Sequence, residues 1–191
     1  MNPEKFEKIT VESQEELRDW LLDNYKQEDS VWLVTYKKSV PVKYISTGQV
    51  LDELLCFGWI DGVRKKLDEK RTMQLILPRQ VQYWSRSYKN RAARLIEEGL
   101  MHESGLKSIT ISKESGLWNF MDDVDDLIIP NDLFKALKSK KRAFGFFDAI
   151  NDSSKRFVLR WLKLSKTDKT RTNRIERIVT LSSKGKKLSG S

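Results

Sequence analysis

The first part of the chain consists mainly of short runs in which hydrophobic and polar residues alternate. This alternation is the period of a β-strand. In residues 31–37 both faces of the alternation carry large side chains, which predicts a central strand covered on two sides. Residues 59–67 and 72–77 flank the polar connection DEKR and predict a β-hairpin. A further short strand is predicted at residues 5–11.

After Pro78 the hydrophobic residues recur every three to four positions, which predicts helices. Two more helices are expected among the strands, one capped by Ser13 and one ending at Gly58. The fold class is therefore α+β, with a small antiparallel sheet packed with helices in the N-terminal half and an all-helical C-terminal half. The predicted helices cover residues 13–25, 46–57, 87–98, 104–115, 129–137, 141–150, 153–166 and 168–185.

The length of 191 residues fits one compact domain with a sizeable core. We predict a single α+β domain over residues 1–180, with a sheet-containing lobe at about 1–100 and a helical lobe at about 101–180. Residues 181–191 are rich in Ser, Gly and Lys, which predicts a disordered basic tail.

The formal net charge of +9 is concentrated near the C-terminus. Between Lys135 and Lys187 there are 17 Lys and Arg residues against 4 acidic ones. Such a region attracts polyanions, namely nucleic acid, anionic lipid or phosphorylated ligands, although a solvated basic face is the more common meaning. We expect only weak, non-specific binding of nucleic acid.

The residue types that common catalytic and metal sites require are scarce. With one Cys and one His, neither an internal disulfide nor a zinc site of the usual ligands is available. Cys56 lies on an apolar helix face far from His102 in sequence, so we predict a buried, inert thiol. The acidic run at residues 121–127 lacks the spacing of a calcium loop and is interpreted as a surface loop. We predict no metal and no cofactor.

No apolar signal core begins the chain, and its apolar runs are too short to span a bilayer. We therefore expect a cytoplasmic protein without membrane insertion. The sequence leaves its oligomeric state open.

The predicted hairpin carries the strongest candidate for a site. Alternation along the strand places Trp59, Asp61 and Lys65 on one face. A carboxylate beside an indole has either a cationic partner or a raised pKa, and Arg79 at the end of the hairpin is the expected partner. Two interpretations stay open. One is a structural ion pair under an aromatic lid, and the other is a pocket in which Asp61 and Arg79 face a polar ligand.

A second candidate lies near the C-terminus. Arg171, Arg174 and Arg177 recur every third residue along a predicted helix. Lys166 and Thr170 stand at its start, where backbone amide groups favour anions. A solvated face is the ordinary interpretation of such a ridge, and an anion site is the alternative.

Several motifs resemble those of the bacteriocin-protection family, also called YdeI or OmpD-associated. They are LLCFGWIDGVRKKLD with the following PR, WSRSYKNR with LIEEGLM, IPNDL, and WLKLSKTDKTRTNRIERIV. The resemblance runs from about Trp32 to about Val179 and departs mildly at SKTDKTR, where Ser-Lys replaces the expected Ala-Lys. The positions that match the family's motif, to which the resemblance assigns no catalytic role, are Trp59, Asp61, Asp68, Pro78, Arg79, Trp84, Ser85, Asn90, Thr170, Arg171 and Arg174.

The resemblance implies a link with tolerance to bacteriocins or antimicrobial peptides and with an outer-membrane porin, but no established reaction or cofactor. We therefore expect a non-catalytic cytoplasmic binding protein in stress or antimicrobial-peptide tolerance. Its partner would be a small anionic ligand or an acidic protein. The alternatives are an enzyme that uses the pocket of Asp61 and Arg79, and a nucleic-acid-binding protein that uses the C-terminal basic helices.

We further predict that Asp61, Arg79 and Arg171 converge on one site, because unpaired charges beside Trp-rich surface are costly and a shared concave site relieves that cost. The predicted ligand-binding residues are Trp59, Asp61, Lys65, Arg79, Trp84, Ser85, Asn90, Lys166, Thr170, Arg171 and Arg174.

Overall fold

Four strands form one mixed sheet: β1 (Lys8–Thr10), β2 (Val31–Tyr36), β3 (Trp59–Lys66) and β4 (Arg71–Pro78). The computed structural model describes residues 6–80 and 82–190. The strand order is β1-β2-β4-β3, and β2 and β3 both run antiparallel to β4. β1 runs parallel to β2, so the sheet is mixed where we expected a purely antiparallel one. The α+β class is confirmed.

The two middle strands hold the core of the sheet. Val31, Leu33 and Ile76 lie on one face of β2 and β4, and each is buried. They belong to one hydrophobic cluster with Leu17 and Leu54 from the helices that cover this face. The opposite face of β2 is buried as well. The prediction of a central strand covered on two sides is confirmed.

The hairpin turn between β3 and β4 is closed by Asp68. Its Oδ1 accepts hydrogen bonds from the backbone N–H groups of Lys70 (2.9 Å) and Arg71 (2.7 Å), which is an Asx-type turn. The Arg71 side chain donates to Oδ2 at 2.7 Å, and this hydrogen bond lowers the pKa of Asp68 below its ordinary value. Asp68, one of the residues marked by the family resemblance, therefore shapes the turn.

A β-bulge in β3 overturns part of the predicted alternation. Asp61 lies opposite Ile76 and Arg64 opposite Gln74, so two residues of β3 face one residue of β4. The extra residue moves Arg64 to the face of Asp61 and moves Lys65 to the other face. The Lys65 ammonium lies 5.5 Å from the ring centroid of Trp32 instead. The assignment of Lys65 to the face of Asp61 was wrong.

Contacts divide the chain into two compact units, Met1–Asn119 and Phe120–Ser191. In the first, the Ser13 side chain caps α1 through the backbone N–H of Glu16 (3.2 Å), as predicted. Ser46 and Gln49 form a capping box at the start of α2. The helices of this unit are α1 (Gln14–Asn24), α2 (Thr47–Cys56), α3 (Arg86–Glu97) and α4 (Glu103–Glu114).

The second unit is helical, in agreement with the period of its hydrophobic residues. Its buried side chains include Leu133, Phe147, Leu162 and Ile178. The last helix continues three residues past position 180, where we expected the disordered tail to begin, and Leu188 beyond it is buried. The helices are α5 (Asp122–Asp125), α6 (Asn131–Lys138), α7 (Lys141–Ala149), α8 (Asp152–Lys163) and α9 (Asp168–Ser183).

Among the described residues, none of the helices combines the length and the apolar character needed to cross a membrane.

Candidate functional site

The carboxylate of Asp61 is held by two neutral donors. The Tyr88 hydroxyl on α3 donates to Oδ1 at 2.5 Å, and the Gln74 side-chain amide on β4 donates to Oδ2 at 3.0 Å. Gln74 in turn accepts from the guanidinium of Arg64, which the bulge has brought to this face. Burial and the hydrogen bond to Asp61 raise the pKa of Tyr88, so its hydroxyl stays a donor.

The expected ion pair between Asp61 and Arg79 is not formed. Within the described ranges no salt bridge joins the two side chains, and the carboxylate oxygens accept hydrogen bonds from Tyr88 and Gln74 instead. Tyr88 lies between them, with its hydroxyl on Asp61 and its ring centroid 5.8 Å from the Arg79 guanidinium carbon. The hypothesis of a direct structural bridge is therefore wrong.

Arg79 rests on aromatic rings. Its backbone N–H donates to the carbonyl of Gly58 (2.8 Å), which fixes it at the end of the hairpin. The guanidinium carbon lies 3.8 Å from the ring centroid of Trp84, and one NH₂ group donates to the Tyr83 carbonyl at 3.2 Å. Burial lowers the pKa of Arg79 to about 10. Stacking on an indole offsets part of the cost of removing this cation from water.

Three N–H donors of this neighbourhood are buried without an acceptor in the part of the chain that the structure describes. They are Nε of Arg79 and the indole Nε1 atoms of Trp59 and Trp84. Trp59 lies opposite Pro78 in the sheet ladder, so its backbone is adjacent to that of Arg79. Buried donors in native proteins nearly always have a partner. Each of the three atoms has almost no accessible surface, so an acceptor from outside the chain reaches them only if the surrounding side chains move.

The aromatic surface continues beyond Trp84. The Trp118 ring centroid is 4.8 Å from that of Trp84, with the two planes tilted by 45°. The ammonium groups of Lys113 and Lys89 lie 5.2 Å and 5.4 Å from the Trp118 centroid. The two indoles thus lie between one guanidinium and two ammonium groups, an arrangement that raises the local positive potential.

The two remaining predicted residues of this region lie near the start of α3. Ser85 is the residue before the helix, and its Oγ is 2.9 Å from Oγ of Ser87. Asn90 is exposed and follows Tyr88 by two positions, so the two residues lie on different sides of the helix. The structure therefore brings Arg79 and Trp84 together with Tyr88, while the Trp59 ring packs against Trp20 and Asn90 lies on another side of α3.

The predicted arginine ridge of α9 is largely engaged by its own unit. Arg171 forms a bidentate salt bridge with Asp132, in which Nε donates to Oδ2 at 2.6 Å and an NH₂ group donates to Oδ1 at 3.0 Å. The hydrogen bond from Arg171 lowers the pKa of Asp132. Arg174 donates to the backbone carbonyl of Trp161 and lies over its ring. These contacts engage two of the three arginines of the ridge, and an anion site there stays a prediction.

The helix start of α9 is capped as well. The Thr167 side chain accepts from the backbone N–H of Thr170 at 3.1 Å, so that amide is not available to an anion. Lys166 is exposed next to the cap. That Arg171 shares one site with Asp61 and Arg79 stays a prediction.

Cys56 is buried, as predicted, with 1% of its surface exposed. Burial raises the pKa of its thiol to about 11. The neighbouring Glu53 is also buried and pairs with Arg18 at 2.8 Å. His102 caps α4 through Nδ1 and stacks on Phe57, with 4.9 Å between the ring centroids. Across residues 6–80 and 82–190, no group of three His, Cys, Asp or Glu side chains is placed to hold a metal ion.

Tyr88 and Gln74 are the site residues that the sequence analysis missed. Tyr88 had a signal, since Ala92 and Leu95 follow it at helical spacing and form the buried stripe of α3. Gln74 had none, because a polar residue within a strand is ordinarily assigned to the solvent face.

A family model described as Domain of unknown function (DUF8412) matches residues 9–108, more than half of the chain. The chain belongs to this family. The DUF8412 match includes the sheet except for Lys8, the first residue of β1, and it includes the contacts of Asp61 and Arg79.

A second family model, described as Bacteriocin-protection, YdeI or OmpD-Associated, matches residues 126–185, which contain α6 to α9. This match confirms the resemblance over the C-terminal part of the range from which we inferred it. The motifs around Trp59 and Trp84 fall instead within the DUF8412 match. Searches of curated proteins and of solved structures give no match.

Proposed function

We propose that the DUF8412 unit binds a small anionic ligand at Arg79, and that the protein acts as a binding protein rather than an enzyme. One observation carries the proposal. The guanidinium of Arg79 is half-buried on Trp84, and its Nε has no hydrogen-bond partner among the described residues.

The energetics favour a ligand over a purely structural role. A partly desolvated guanidinium is costly unless it is paired, and the lowered pKa of Arg79 reflects that cost. A carboxylate or phosphate accepts two parallel hydrogen bonds from a guanidinium, including one from Nε. An anion at Arg79 would supply an acceptor for the guanidinium, and it would reach the buried Nε and the indole N–H groups of Trp59 and Trp84 once the side chains that cover them move.

The biological setting that we propose rests on the second family match. A family named for bacteriocin protection matches α6 to α9, so we propose a role in stress or antimicrobial-peptide tolerance in the cytoplasm. An acidic segment of a partner protein is the alternative to a small anion at Arg79, because it presents the same carboxylate groups.

The two rival functions have less support. An enzyme that uses Asp61 needs that carboxylate to be accessible, whereas Tyr88 and Gln74 hold both of its oxygens. A nucleic-acid-binding protein needs a continuous basic ridge without acidic neighbours. Asp132 pairs with Arg171 at the N-terminal end of the candidate ridge, which works against that function.

Titration with phosphate, sulfate and citrate, followed by tryptophan fluorescence, tests the proposal. Since Trp84 lies directly beneath Arg79, binding should change its emission. Arg79→Gln should remove the response. Arg94→Gln is the matched control, because it deletes the same charge from a side chain of the same unit that is paired with Asp52 and Glu98. An anion response that survives in Arg79→Gln, or the failure of every anion and of an acidic peptide to bind, would refute the proposal.

A further inference from the structure

A cavity of about 250 Å³ lies beside α8 in the helical unit. Two of its lining residues, Arg156 and Arg160, are one helical turn apart and so lie on the same side of α8. Phe157 contributes an aromatic wall. The remaining lining residues are Ser153 and Gly190.

The two arginines are poorly compensated. Arg156 donates from Nε to the backbone carbonyl of Asp125 at 3.3 Å, and its NH₂ group is 3.9 Å from the carboxylate of Asp152, which is mostly exposed. Nε of Arg160 is buried without a hydrogen-bond partner, and no ion pair is formed by its guanidinium, as far as the described chain extends. Positive charge therefore exceeds negative charge around this cavity.

The C-terminal segment contributes Gly190 to the lining of the cavity, and the residues before Gly190 pack against the same unit. The Lys187 ammonium donates to the Ser154 hydroxyl at 2.9 Å, and Leu188 is buried. Gly190 has a φ of +92°, and a Cβ at this position would lie 2.8 Å from the ring of Phe157. Only glycine allows the backbone to pass this close to the ring. The cavity is therefore bordered by α8 and by Gly190 of the C-terminal segment, and it opens to solvent.

We propose that this cavity binds a phosphoryl oxyanion, either free phosphate or the phosphate group of a small ester. Two guanidinium groups one turn apart match a tetrahedral dianion, because each carries terminal NH₂ donors besides its Nε, which donates to Asp125 in Arg156 and is buried in Arg160. The remaining volume of the cavity has room for a small organic group attached to the phosphate, and the ring of Phe157 would contact that group. The site shares no residue with the one at Arg79, so either proposal can fail without the other.

Backbone amide NMR of the whole chain tests the proposal, with inorganic phosphate and phenyl phosphate titrated at constant ionic strength against chloride. Saturable shifts are expected at residues 153–160 and 187–190. Tighter binding of phenyl phosphate would identify an ester as the ligand, and equal binding would identify the free anion.

Variants at Arg160 provide the decisive comparison. Arg160→Gln should weaken phosphate binding by about tenfold or more, the equivalent of one charge-assisted hydrogen bond. Arg160→Lys keeps the charge and should retain part of the affinity, which also covers the case in which Arg160→Gln folds poorly. Arg142→Gln, which removes an exposed charge on α7, should bind as the native chain does. Absence of saturable shifts, or equal affinity in Arg160→Gln and Arg142→Gln, would overturn the proposal.

Discussion

Replacing Arg79 with methionine removes the guanidinium and keeps an unbranched apolar side chain against Trp84. The change loses the cation–π contact, worth about 2 kcal/mol for a desolvated pair. It also loses the hydrogen bond to the Tyr83 carbonyl, worth about 1 kcal/mol. In return it removes the buried Nε–H that lacks an acceptor in the described structure, which relieves about 1–3 kcal/mol. We expect the free energy of unfolding to change by no more than about 1–2 kcal/mol.

The matching perturbation is Tyr88→Phe, which keeps the ring near Arg79 and removes the hydroxyl that donates to Asp61. A hydrogen bond to a charged group contributes about 1.5–3 kcal/mol, and its loss leaves a carboxylate oxygen short of a donor. Tyr88→Phe should therefore be the more destabilising of the two variants, although it deletes a single oxygen atom.

Urea denaturation followed by tryptophan fluorescence measures both variants, and the slope with denaturant shows whether the unfolding transition is unchanged. If Arg79 instead compensated a buried Asp61 directly, Arg79→Met would cost about 3–5 kcal/mol and exceed Tyr88→Phe. That order of the two variants would refute our assignment of Tyr88 as the partner of Asp61.

Three further outcomes are expected. The Cys56 thiol, with a pKa of about 11 and 1% exposure, should react with a thiol reagent only as fast as the chain unfolds, and fast labelling of the native protein would contradict its burial. Arg171→Ala should cost less than about 1 kcal/mol at neutral pH, because its pair with Asp132 is largely exposed. The folded-state pKa of Asp132 lies below the ordinary 3.8, so the contribution of this pair to stability should be complete above pH 3.8 and should fade as the pH falls through the folded-state pKa. The difference in Tm between the native and Arg171→Ala chains should shrink over the same range. Nucleic acid should bind only weakly and with steep salt dependence, and submicromolar affinity at moderate salt would restore the nucleic-acid hypothesis.

The features that sequence analysis predicted well are those set by neighbouring residues. Ser13 and Ser46 cap their helices because a short hydroxyl side chain reaches backbone donors two or three residues ahead. The hairpin forms where two runs of strand-forming residues flank a turn that Asp68 closes. Each of these interactions spans only a few positions, so the pattern of residue types contains the needed information.

The β-bulge shows where that information ends. Strict alternation assigns Lys65 to the face of Asp61, but one extra residue at Gly62 and Val63 reverses every later side chain of β3. The Cβ position of Gly62 is 3.3 Å from the backbone carbonyl of Leu75, a close approach that only the pairing with β4 creates. The direction of β1 also depends on a partner strand distant in sequence. Local periodicity contains neither fact.

The partner of Asp61 was misjudged for a related reason. Charge complementarity made Arg79 the natural choice from the sequence, but partner choice depends on which donors the folded backbone brings within reach. The start of α3 places the Tyr88 hydroxyl on Asp61, and the alternation of β4 places Gln74 on the same face, where it donates to the other oxygen. Neutral donors thus satisfy the carboxylate, and Arg79 keeps its charge against Trp84 without an acidic partner among the described residues. Because Arg79 has no acidic partner among the described residues, its guanidinium is suited to binding an anionic ligand.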